Sequence, residues 1–202
     1  VVPSSGVLAG FNTDVTGIAS AIRRACSQAD RTLPTKAIVL GARATASSAL
    51  AALGELGIVT STVAARRFGG PGSVVAASSR LGVSIEQVLW SDRDAVLRAV
   101  SAADLVISTL PAGVADPLAE EMTVREGQIL LDVVYSPRET ALRSAFERNG
   151  GIVAEGTDML IYQAAAQVQL MTGRSPKTDV MRGALEAELA RRARVSGGGT
   201  AS

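Results

Sequence analysis

The run 36–67, KAIVLGARATASSALAALGELGIVTSTVAARR, restricts the fold more than any other part of the chain. Its apolar segment Ala37–Leu40 stops at Gly41, residues 45–56 form an alanine-rich helical segment punctuated by Gly57, and a β-branched run 58–63 leads to two consecutive arginines. Strand, tight turn, helix and second strand in that order make the first half of a mononucleotide-binding unit. In such a unit the turn after the first strand aims the N–H groups of a helix N-terminus at a pyrophosphate, and the end of the second strand meets the adenosine ribose. An acidic residue at that strand end favours NAD by bonding the 2′-hydroxyl, whereas arginine suits a 2′-phosphate. The sequence therefore predicts an NADP site built from Gly41, Ala42, Arg43, Ala44 and Thr45 together with Arg66 and Arg67.

The turn departs from the usual glycine pattern at one position. Two residues after Gly41, where a dinucleotide fingerprint has its second glycine, stands Arg43. A side chain there takes up space, and a left-handed backbone would add about 1–2 kcal/mol of strain. Pairing of the guanidinium with phosphate would offset part of that. Taken alone, Gly41 is equally an ordinary turn glycine; the paired arginines one strand later favour the nucleotide reading.

With 202 residues, 47% of them hydrophobic and 19% charged, the chain has ample material for a compact core. Aromatic residues are only 3%, so that core must come from Ala, Val, Leu and Ile, as in a sheet covered on both faces by helices. A net charge of +1 argues against an electrostatic nucleic-acid partner, and no apolar run has the length of a membrane span. The one cysteine, Cys26, excludes an internal disulfide and suits a reducing, cytoplasmic compartment. Histidine is absent, which removes His-based acid–base catalysis, His-containing zinc sites and Ser-His-Asp hydrolysis; no metal site is expected. Lysine occurs only at Lys36 and Lys177.

Along the chain, Val1-Val2 and Val7-Leu8-Ala9 read as two short strands around a turn, a hairpin that needs a larger sheet for stability. A helix over 15–28 follows the loop Gly10 to Asp14, with Asp14 placed to cap its N–H groups. Beyond Arg67 the pattern gives a loop 68–72, a helix 73–81 closed by Gly82, a strand 87–90, and a helix opened by Ser91 with Asp94 three positions on. Strands at 105–110, 129–135 and 152–154 follow, with a turn at 111–113 and a helix 139–148 between them. The end is helical over 157–172 and 178–195, then low-complexity from 196 to 202. This alternation predicts an α/β fold: a Rossmann-like doubly wound parallel sheet with helices on both faces.

In an open parallel sheet the ligand lies beyond the carboxyl ends of the strands. The Gly41 turn, Arg66-Arg67, Thr109-Leu110-Pro111 and the segment Asp132 to Tyr135 converge there, with Gly156-Thr157-Asp158 completing the crevice. On the helix that follows, Met159, Gln163 and Gln167 share a face at spacing four. Gln163 is as readily a surface residue, and Tyr135 as readily an interior tyrosine with a satisfied hydroxyl, from position alone.

Taken together, Asn12-Thr13-Asp14 followed by Gly17, VLGARATASSAL, ISTLPAG at 107–113, DVVYSP at 132–137 and EGTDMLIYQAAAQ at 155–167 resemble the shikimate dehydrogenase family over nearly the whole chain. The last motif is the most diagnostic. The resemblance implies NADPH-dependent, reversible reduction of 3-dehydroshikimate to shikimate in aromatic amino-acid and chorismate biosynthesis. It implies that Asp14, in the N-T-D motif begun by Asn12, partners a lysine in proton transfer, and that Tyr135 and Gln163 contact substrate. Val133, Gly156 and Met159 are expected near the nicotinamide, with Thr109, Leu110 and Pro111 on the cofactor side.

The family's substrate-binding sheet, which carries the lysine, precedes the N-T-D loop. The chain is accordingly expected to be truncated: 1–14 ending a substrate-binding domain as a remnant hairpin, 15–156 the NADP-binding domain, 157–195 helices packing toward the substrate domain, and 196–202 a disordered tail. Lys36 starts a strand at the opposite edge and Lys177 lies past the closing helix, so such a chain is expected to bind cofactor without turning over by itself. A non-catalytic nucleotide-binding module and an NAD-dependent quinate or shikimate dehydrogenase are the alternatives. The expected partners are the small-molecule substrate and, for assembly, a second copy in a homodimer.

Overall fold

The computed structural model describes residues 1–4, 6–136 and 139–197. Its centre is a six-stranded, wholly parallel sheet in the order β5-β4-β3-β6-β7-β8. The strands are β3 (Ala37–Leu40), β4 (Thr60–Ala65), β5 (Ser84–Leu89), β6 (Leu105–Ser108), β7 (Ile129–Asp132) and β8 (Ile152–Ala154). Strand order reverses between β3 and β6, where Val39 lies opposite Ile107. A crevice opens at such a point because consecutive connections depart to opposite faces of the sheet.

All four residues of β3, β6 and β7 are buried. Their alternation assigns them to two cores. Ala37, Val39, Leu105, Ile107, Ile129 and Leu131 face α1 (Thr13–Gln28) and α2 (Ala44–Glu55), with α3 (Val74–Leu81) beside them. Ile38, Leu40, Val106 and Leu130 face α4 (Arg93–Ala102), α5 (Asp116–Glu121) and α6 (Ala141–Arg148). Sheets buried on both faces need this continuous apolarity. Phe146 fills the second core with no exposed surface, a burial whose truncation to alanine typically costs about 3–5 kcal/mol.

Several element ends differ from the sequence expectation, and at three strand ends a hydrogen bond accompanies the difference. The strand expected at 58–63 runs from Thr60, because the Ile58 N–H donates to Leu53 O at 2.8 Å and closes α2 instead. The strand expected to reach Leu110 ends at Ser108, since the Thr109 hydroxyl turns back to donate to Leu40 O at 2.8 Å. That expected to reach Tyr135 ends at Asp132, whose own carboxylate accepts from the Val134 N–H at 3.2 Å and draws the chain off the sheet. Strand β5 begins three residues before the expected Gln87. Asp92, not Ser91, caps α4 by accepting from the Ala95 N–H at 3.0 Å. Helix α6 starts at Ala141 behind its cap Thr140, two residues later than expected. Helix α5 had no sequence counterpart: six residues opened by Asp116-Pro117 are too short to show a period.

The hairpin of β1 (Val2–Ser4) and β2 (Val7–Ala9) is antiparallel, with Val2 opposite Ala9, and forms a separate two-stranded sheet. Val1, Val7 and Leu8 are exposed. Helix α7 (Gly156–Thr172) closes on Gly173 in the left-handed conformation, as a helix C-terminus favours. Helix α8 spans Thr178–Gly197, two residues past its expected end; the remainder of the expected tail, 198–202, lies outside the described residues.

Candidate functional site

The first half of the crevice is the β3–α2 turn. Gly41 has φ +114°, and its N–H donates to Ala64 O at 2.8 Å, which sets the end of β4 beside the turn. A Cβ at Gly41 would lie 2.3 Å from the Thr109 hydroxyl oxygen, so both backbone angle and space demand glycine. Arg43 is the N-cap of α2 at φ −98°, ψ −165°. That is ordinary extended backbone, so the strain anticipated for an arginine here is absent, and its exposed side chain leaves the turn clear. No side chain caps α2, and its first turn holds no acidic residue. An uncapped helix N-terminus presents free N–H donors and the positive end of the helix dipole, a ready anion site.

Ala42 is buried, Ala44 exposed and Thr45 half-buried around this N-terminus. Arg66 and Arg67 directly follow β4 and are exposed. The glycine-rich loop after them packs against the turn: the Val74 N–H donates to Ala42 O at 3.3 Å and the Ser47 hydroxyl to Gly72 O at 3.1 Å.

The second half lies past β6, β7 and β8. Thr109 and Leu110 are half-buried and Pro111 is exposed at the end of β6. Asp132 is only 7% exposed, and its carboxylate accepts from the Thr140 hydroxyl at 2.9 Å as well as from the Val134 N–H. Burial pushes this carboxyl above the usual range, against the hydrogen bonds from Thr140, Val134 and Ser108, while the like charge of Asp116 adds to the rise. Val133 is half-buried, and Tyr135 is 49% exposed, which rules out an interior tyrosine. Gly156, the first residue of α7, abuts this segment so closely that a Cβ would meet Asp132 O at 2.7 Å. Arg143 of α6 forms a two-pronged bond to Glu155, each contact 2.9 Å, and fixes the residue before Gly156.

Helices α1 and α7 connect the two halves. Asn12 caps α1 by accepting from the Asp14 N–H at 3.1 Å and donates through its amide to the Ser48 hydroxyl at 2.9 Å. Capping therefore falls to Asn12, not to Asp14 as the sequence suggested, and leaves the Asp14 carboxylate out of the cap. The Gln167 amide donates to the Thr13 hydroxyl at 3.1 Å, and a Cβ at Gly17 would lie 2.6 Å from Met159 O and 3.2 Å from Gln163 Cβ. The Met159, Gln163 and Gln167 face thus packs on α1, with Met159 buried and Gln163 half-buried rather than on the surface.

Asp158, expected at the crevice, is instead buried between Arg24 of α1, 3.2 Å away, and Arg182 of α8. Lys36 lies just before β3, its N–H donating to the Asp104 carboxylate at 3.0 Å at the amino end of the sheet, and Lys177 is exposed before α8. Sequence reasoning placed Asp132 at the crevice but gave its carboxylate no role, although a carboxylate closing the apolar run ILLD was the available signal. Among the described residues no cluster of His, Cys, Asp and Glu could hold a metal.

A parallel sheet with this switch point, a positive-φ glycine at the first turn and an uncapped helix N-terminus defines a doubly wound dinucleotide-binding domain. Comparison with known proteins narrows the class. Residues 156–186 match the shikimate 5′-dehydrogenase C-terminal domain. The chain is 30% identical to the shikimate dehydrogenase (NADP(+)) of Halothermothrix orenii over 183 residues, 88% of this chain and 63% of that protein. The structure superposes on Mycobacterium tuberculosis shikimate dehydrogenase with a TM-score of 0.74 at 35% identity, covering 86% of this chain and 62% of that one. It also superposes on Thermus thermophilus shikimate 5-dehydrogenase, solved with NADP(H) and shikimate, with a TM-score of 0.66 at 28% identity, covering 94% and 66%. The chain is similar to shikimate dehydrogenases across the region it matches, and it spans a little under two thirds of the length of these relatives.

Proposed function

We propose that this chain is the cofactor-binding portion of an NADP-dependent shikimate dehydrogenase, acting in the reversible reduction of 3-dehydroshikimate to shikimate. The observation that carries the cofactor reading is the pairing of the uncapped α2 N-terminus at Gly41 with the exposed Arg66 and Arg67 at the adjoining end of β4. The first suits a pyrophosphate and the second a 2′-phosphate. A bound NADPH would supply the hydride. The residues from Gly41 to Thr45, Arg66 and Arg67 would hold its phosphates, Thr109, Leu110 and Pro111 its ribose side, and Val133, Gly156 and Met159 would flank the nicotinamide.

On the substrate side we assign Asn12, Asp14, Tyr135 and Gln163, with Asp14 orienting the proton-transfer partner. Neither lysine of this chain suits that role, since Lys36 lies just before β3 at the amino end of the sheet and Lys177 precedes α8. In this reading 1–14 belongs to the substrate domain, 15–156 is the cofactor domain, and 157–195 packs toward the substrate domain. The buried Cys26 thiol, pushed up by burial, suits a reducing cytoplasm, and no described helix is long and apolar enough to cross a membrane. A homodimer is the assembly to test by sedimentation.

Calorimetric titration tests the cofactor reading directly. NADP+ should bind at least tenfold more tightly than NAD+, and Arg66→Asp should remove most of that preference. Equal affinities would favour the NAD-dependent quinate or shikimate dehydrogenase reading, and no binding of either would favour a non-catalytic module. Reduction of 3-dehydroshikimate by the chain with NADPH would show that the proton comes from a group other than a lysine partner of Asp14.

A further inference from the structure

The second half of the crevice contains a buried carboxylate for which the proposed reaction has no use. Asp132 ends β7, and its two oxygens are taken by different segments: Oδ1 by the Val134 N–H and Oδ2 by the Thr140 hydroxyl. Thr140 is also the N-cap of α6, its hydroxyl oxygen accepting from the Arg143 N–H at 3.2 Å. One hydroxyl therefore joins the start of a helix to the end of a strand across the segment that carries Tyr135. Gly156 limits movement from the other side, because the α7 N-terminus rests on the backbone of Asp132 to Val134.

A carboxylate is expensive to bury, and here its position is surrounded by donors. A chain that needed only to end the strand could do so with any turn residue. The two donors come from the loop and from the head of α6, so the carboxylate fixes their positions relative to the end of β7.

We propose that Asp132 is a positioning residue: with Thr140 it forms a clasp that holds Val133 to Tyr135 at a set height above the carboxyl edge of the sheet. The role assigned to Tyr135 rests on the functional reading above; the clasp itself does not.

Amide exchange of the chain, followed by NMR, tests this without turnover. Thr140→Val removes the hydroxyl and with it both the clasp and the α6 cap, whereas Asp132→Ala removes the clasp and leaves the cap. Both should raise exchange at Val134 and Tyr135 by about tenfold, and only Thr140→Val should also raise it in the first turn of α6. Thr140→Ser, which keeps the hydroxyl, should restore wild-type exchange. Core amides of β3 and β6 should be unchanged, and binding of adenosine 2′,5′-bisphosphate should stay within twofold of wild type. Unchanged exchange at Val134 and Tyr135 in both clasp variants would overturn the proposal, as would a uniform rise across the sheet, which would mark a purely structural residue. Failure of the wild type to bind NADP+ would refute the functional reading while leaving the exchange result intact.

Discussion

The two halves of the crevice end their strands in opposite ways. After β3 the chain turns on Gly41 into a helix with no side-chain cap and no acidic residue in its first turn. After β7 it turns on Asp132, a carboxylate that accepts bonds from the loop and from Thr140 at the next helix. One turn keeps its donors available; the other supplies its own acceptor. The difference agrees with the function proposed above: an acidic side chain at the first turn would occupy its free N–H donors and repel an anion, whereas at the second turn it satisfies donors of the chain itself.

The largest expected effect comes from exchanging space for a side chain on either side. Gly41→Val combines a positive φ with a clash against Thr109, so adenosine 2′,5′-bisphosphate binding should weaken about 100-fold or more, by calorimetry. Gly156→Val strikes the Asp132 carbonyl instead. It should lower the melting temperature by several degrees yet leave that ligand's affinity within about threefold. Equal losses in both variants would erase the distinction between the halves.

Next in size is charge. Arg66→Asp should weaken NADP+ by about 10–100-fold and NAD+ by much less, whereas Arg43→Ala should cost about two- to fivefold, as for an exposed cation near a phosphate. A larger loss at Arg43 than at Arg66 would move the 2′-phosphate away from β4.

The acid–base prediction concerns the second half alone. Because burial raises the Asp132 carboxyl above its ordinary value of 3.8 in the folded chain, its contribution to stability is fully present below that value and is lost as pH rises through the raised one. Asp132→Asn should therefore gain on the wild type as pH is raised from about 4 to about 7, measured by paired melting curves. A difference independent of pH would show that no buried charge is involved. Smallest is the exposed trio on α8, where hydrogen bonds from Arg191 and Arg192 hold the Glu188 carboxyl at about 2. That contribution is present above the ordinary value of 4.5 and lost as pH falls toward 2, so Glu188→Gln should shift melting at pH 7 by no more than about a degree.

The sheet was legible because β3 is wholly apolar and β6 and β7 are apolar up to their last residues, Ser108 and Asp132, and the first turn because Gly41 follows β3 directly. Strand ends were not legible, since they are decided by single hydrogen bonds, some local, as when the Asp132 carboxylate takes the Val134 N–H, and some from far along the chain, as when Thr109 reaches Leu40. The same limit hid the burial of Asp158, whose partners Arg24 and Arg182 lie on two other helices. Arg43 was misjudged for a different reason: a residue type does not state its backbone angle, and the extended conformation removed the anticipated strain.

At Gly17 no side chain separates α1 from α7, and the carbonyl oxygen of Met159 lies 2.6 Å from where a β-carbon would be. Helices in such direct backbone contact cannot slide past each other without losing that fit. Asp14 and Gln163 therefore travel as one body. Because Ile18 and Ile22 of α1 are buried in the same core as Val39 and Ile107 of the sheet, that body is anchored to the sheet as well.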